Sequence, residues 1–131
     1  MERIETTILR NLIFDEEYSG KVIPFIQPDY FENKTEKIIF EESTQFIVKY
    51  DSAITVEALN IEIENRTDLT ETEIKDAREI TKTFNDAPVD SQWLLDSTEK
   101  WCRDRAIYLA LMESIALADG QDDKKRKGCY S

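Results

Sequence analysis

The chain has 131 residues, with 28 acids against 17 bases, a net charge of −11, and no histidine. That length fits one domain with its own core, and so acidic a surface repels nucleic acid. With only three glycines and three prolines in a chain that is 40% hydrophobic, it is neither disordered nor a turn-rich all-β protein.

Ile4, Ile8, Leu9, Leu12 and Ile13 recur at helical spacing and predict a first helix. Phe14 and Asp15 end it, and Asp15 can cap a second helix with Glu16 and Glu17 in its first turn. In that second helix Tyr18, Val22, Phe25 and Ile26 share a face, with Gly20 weakening it. Pro24 lacks an N–H and should kink or end it. Pro28 fits the first turn of a short helical segment that brings Tyr30 and Phe31 to the core.

Asn33 or Thr35 can cap a stronger helix through Tyr50, with Ile39, Ser43, Phe46, Ile47 and Tyr50 on one side. After a turn at 51–53, Thr55 can cap residues 56–65. Val56, Leu59 and Ile63 suit a helix there, while Leu59, Ile61 and Ile63 suit a strand. No second strand is evident to pair with it, so helix is the choice. Thr70 and Glu73 have capping-box spacing and open a helix carrying Ile74, Ala77, Ile80 and Phe84.

Residues 85–90 connect to the longest helix, capped by Asp90 or Ser91 and running to about Ala118. So short a connection predicts that these last two helices form an antiparallel hairpin. From Gly120 onward no apolar period remains, and a loop or flexible linker over 120–131 is expected.

The long helix has more apolar surface than one neighbour can cover. Leu94, Trp101, Tyr108 and Ile115 repeat every seven residues, and 106–112 reads "AIYLALM". A helix apolar all round must be covered on several sides. Either one bundle wraps it, or a second copy of the chain packs against it isologously. The candidate self-association residues are Trp101, Arg105, Tyr108, Leu109, Met112 and Ile115. Asp86, Asp90 and Trp93, near the bend, are candidate partner-docking residues, because carboxylates there suit a basic protein.

Motifs of catalysis are missing. Without histidine the usual general base and zinc ligand are gone, and no phosphate-cradling glycine loop occurs. No catalytic, cofactor-binding or metal residues are assigned. Two cysteines, Cys102 and Cys129, and an N-terminus without a signal-peptide pattern lead to the expectation of a cytoplasmic protein with reduced thiols. No stretch approaches the roughly 18 apolar residues of a membrane span.

Residues 2–118 resemble the N-terminal domain of DnaB-type replicative helicases. The likeness is carried by Glu5, Ile8, Leu9, Leu12, Ile13 and Asp15; by Lys21 and Val22; by Asp29, Tyr30, Phe31, Lys37, Ile39 and Phe40; and by Ile54, Thr55 and Leu59. The helicases of T-even-type phages share more, including Asp86, Pro88, Asp90, Trp93, Leu94, Thr98, Glu99, Lys100, Trp101, Arg105 and Ala106.

The resemblance implies an all-α fold: a helical head of five to six helices (1–66) and a projecting helical hairpin (70–119). It makes 56–65 helical. It further implies that such domains pair through head and hairpin into the collar of a hexamer that recruits primase and touches a helicase loader. The family's ATPase domain, where ATP and magnesium bind, has no counterpart in these residues. Catalysis is therefore not expected of this chain alone, nor is direct nucleic-acid binding. A different class stays open: a small acidic phage protein that mimics DNA or inhibits a host enzyme. Its charge fits, though bases interrupt its rows of acids. "KKRK" at 124–127 offers only weak, salt-sensitive DNA binding.

Overall fold

The computed structural model describes the backbone of residues 3–128 and the side chains of residues 3–119. Apolar residues three and four apart make α1 (Ile4–Phe14) the centre of the fold. Ile8, Leu9 and Leu12 are wholly buried. α1 packs against α2 (Glu16–Val22), α3 (Lys34–Tyr50) and α6 (Ser91–Gly128). Beyond α3 lie α4 (Val56–Glu64) and α5 (Glu71–Lys82). The class is all-α, with no strand among the described residues.

Local chemistry accounts for most boundaries. Asp15 caps α2 by accepting from the Tyr18 N–H at 3.1 Å, and Asn33 caps α3 by accepting from Thr35 and Glu36. Thr55 caps α4, which settles 56–64 as helix. Thr70 and Glu73 form the reciprocal capping box that opens α5. Asp51, at φ 52°, ends α3 in the left-handed conformation that breaks a helix cleanly.

The proline-rich stretch departs from a single amphipathic face. Pro24 cannot continue the hydrogen-bond ladder, so α2 stops at Val22 and Ile23–Phe25 tightens into a 3-10 turn. This rotates Phe25 out of the face it shares with Tyr18 in an unbroken helix, leaving it 71% exposed while Ile26 is buried. A second 3-10 turn, Pro28–Tyr30, delivers Phe31 to the core and Tyr30 to its edge.

The main contacts of α5 and α6, the expected hairpin pair, are with the head rather than with each other. α5 packs on α3 and α4, and α6 packs on α1, α2 and the Pro28–Tyr30 turn. Each helix gives its apolar stripe to a different part of the head: Ala77 and Thr81 on α5, Leu94, Thr98 and Trp101 on α6. Residues 83–90 between them are not helical, and eight residues can span up to about 26 Å, so a short connection did not force neighbouring helices.

The end of α6 also differs. The helix continues past Ala118 through Gly128, where a loop was expected, so 38 residues make a rod about 57 Å long. No proline interrupts it, and the glycine at 120 costs about 1 kcal/mol without stopping it. The remainder of the expected linker, 129–131, lies outside the described residues.

Candidate protein-interaction site

The first four or so turns of α6 are locked to the head. Leu94 is 1% exposed. The Thr98 and Tyr18 hydroxyls hydrogen-bond at 2.7 Å in a buried site, and burial pushes the Tyr18 phenol well above its usual range. The Trp101 indole sits 4.8 Å from the Phe31 ring and edge-on to Tyr30 at 6.0 Å. Arg105 donates from Nε to the Tyr30 carbonyl at 2.5 Å and from Nη1 to Glu32 at 3.2 Å, and stacks over Tyr108.

Beyond Arg105 the head ends, and among the described residues no other element covers α6. Ile107, Tyr108, Leu111, Met112, Ile115 and Leu117 are all exposed, Leu111 at 59%. These residues lie on more than one side of the helix, so a single stripe does not describe them. Isolated exposed leucines are ordinary, but six large exposed apolar side chains within residues 107–117 mark an interaction surface.

The structure therefore divides the six residues singled out for self-association. Tyr108, Met112 and Ile115 lie on the bare segment, and Leu109 is half-buried there. Trp101 and Arg105 serve the contact between α6 and the head instead. Ile107, Leu111 and Leu117 are as exposed as the rest and were not singled out. The signal for Ile107 and Leu111 was present in the unbroken apolar run 106–112, but the seven-residue repeat passed over it.

A groove of about 560 Å³ runs between α2 and α6 into the bare segment, lined by Val22, Phe25, Tyr30, Leu95, Cys102 and Ala106. Burial pushes the Cys102 thiol up to about 11, so at neutral pH it is an apolar wall and a poor nucleophile. Among the described residues no cluster of three metal-ligating side chains occurs. No helix of the described residues is long and apolar enough to cross a membrane.

The connector carries the other three candidates. Asp86, Asp90 and Trp93 are all exposed. Asp90 also caps α6, accepting from the Trp93 N–H at 2.8 Å, so one of its oxygens is structural. Elsewhere in the head, bases and acids are interleaved. Lys37 pairs with Asp29 at 2.6 Å and Arg66 with Asp68 at 2.6 Å and Glu42 at 3.3 Å, while Lys34 joins α3 to Glu73 and Arg78 joins α5 to Glu64.

Over 110 residues, 84% of its length, the chain is 34% identical to a DnaB-like replicative helicase of Enterobacteria phage T4. The match falls in that protein's N-terminal part.

The chain is related to the N-terminal domain of DnaB-like replicative helicases.

This helicase-related domain spans 23% of the length of the phage T4 protein. No family model matches the chain. The chain is thus an all-α domain related to the N-terminal part of a replicative helicase.

Proposed function

We propose that this domain is the protein-interaction module of a phage replicative helicase, which associates with copies of itself through α6 and docks primase. The single observation that carries the reading is the bare apolar segment 106–118, on a helix whose preceding turns bury Leu94, Thr98 and Trp101 against the head. A second copy is the simplest cover, because a two-fold axis sets the same surface against itself. Hexameric assembly, a helicase loader as partner, and ATP-driven unwinding belong to the same proposal for the whole protein.

The docking half rests on charge. Asp86 and Asp90 flank an exposed connector on a chain of net charge −11, and proteins that handle DNA tend to be basic. The interleaved ion pairs of the head argue against a DNA mimic, which needs uninterrupted rows of acids.

Light scattering of Tyr108→Asp tests the association. The variant should stay helical and lose the dimer, since a carboxylate in an apolar interface is strongly disfavoured. Unchanged association would refute the α6 surface. For docking, the cognate primase is titrated at two salt concentrations; no binding even at low salt would refute it.

A further inference from the structure

Arg10 sits on α1, in the middle of the head, and is buried. Its Nη1 donates to two carbonyl oxygens far away in sequence, Asn85 at 3.3 Å and Ala87 at 2.9 Å. Both belong to the connector between α5 and α6. These bonds tie the middle of α1 to a segment 75 and 77 residues further along the chain. What an arginine adds is direction, because its planar donors hold acceptors in a set geometry.

The connector needs such a hold. It has no regular ladder, only local bonds such as the Ala87 N–H to Asn85 Oδ1 at 2.9 Å. Its two helices diverge to different parts of the head. Asp86 lies between the two held carbonyls with its side chain exposed, and Asp90 and Trp93 follow on the same exposed run. Exposed carboxylates suit a cation by ion pairing, and an exposed indole suits one through its ring face.

We propose that Arg10 is a positioning residue: it holds the connector so that Asp86, Asp90 and Trp93 form a preformed epitope for a lysine- or arginine-bearing segment of a partner protein. The proposal rests on the docking reading above. Preformed loops lose less freedom on binding, so removing the hold weakens affinity without touching the epitope itself.

The test compares Arg10→Met and Arg10→Lys in the full chain by amide hydrogen exchange and by titration with the cognate primase. In Arg10→Met, exchange at Ala87 should rise about ten-fold while Leu12 and Ile39 stay protected, and the primase Kd should rise about ten-fold. Arg10→Lys keeps one donor group and should restore part of both; it also carries the test if Arg10→Met fails to fold. Unchanged exchange at Ala87 in the variants overturns the proposal. So does a loosened connector with unchanged primase affinity. If the wild-type chain binds no primase while Ala87 loosens in Arg10→Met, the docking reading falls and only the hold on the connector stands.

Discussion

Leu94 and Leu111 occupy the same helix, yet replacing each by alanine should have different consequences. Leu94 is 1% exposed and Leu111 is 59% exposed. Truncating a wholly buried leucine removes its transfer free energy and leaves a cavity, at about 3 kcal/mol. For a domain of this size that lowers Tm by about 10 °C. Leu111→Ala removes nothing the single chain buries, and leucine and alanine differ by only about 0.2 kcal/mol in helix propensity. The assay is urea unfolding followed by circular dichroism at 222 nm, repeated over a hundred-fold range of protein concentration. At the lowest concentration Leu94→Ala should be destabilised and Leu111→Ala should match the wild type. As concentration rises, the wild type should gain stability and Leu111→Ala should gain less, because only association covers that site. If Leu111→Ala is as destabilised as Leu94→Ala at every concentration, the far half of α6 is internal core and the reasoning fails.

Three further outcomes follow from the head. Tyr18→Phe leaves the buried Thr98 hydroxyl without its 2.7 Å partner and should cost about 1–2 kcal/mol in chemical denaturation. Gly20→Ala should stabilise by about 0.5–1 kcal/mol, because Gly20 is inside α2 and an added Cβ meets nothing within 4 Å. Burial raises the pKa of the Glu36 carboxyl more than the Arg3 guanidinium at 3.2 Å lowers it. A carboxyl raised in the folded state binds protons more readily there than when unfolded, so its ionisation opposes folding. Glu36→Gln should therefore raise Tm at pH 7. That gain should shrink as pH falls through the raised pKa towards the ordinary carboxylate range, and a gain independent of pH would contradict it.

Helix faces, caps and breakers were legible in the sequence because they depend on neighbours three or four residues away. Thr70 with Glu73, and Asn33 before α3, are of this kind. Pro24 was read as a breaker, but its consequence for Phe25 depends on the turn that replaces the helix. Tertiary choices were less legible. Nothing in a short connector says whether the flanking helices pack on each other or on the head, and α5 and α6 take the second course. Along α6 the seven-residue repeat runs unbroken from Leu94 to Ile115, but burial stops between Trp101 and Tyr108, where the head's surface ends. Arg105 was singled out for self-association, and its contact with the head was not legible because its main partner is the Tyr30 backbone carbonyl, which has no signature in residue type.

Sedimentation equilibrium of the wild-type chain, at low and at high salt, tests the central claim most directly. The bare segment 106–118 predicts an average mass that rises from one chain towards two as concentration increases. Screening the repulsion between two chains of charge −11 should strengthen that rise at high salt. A mass that stays at one chain at the highest concentration, at both salts, would contradict self-association through α6.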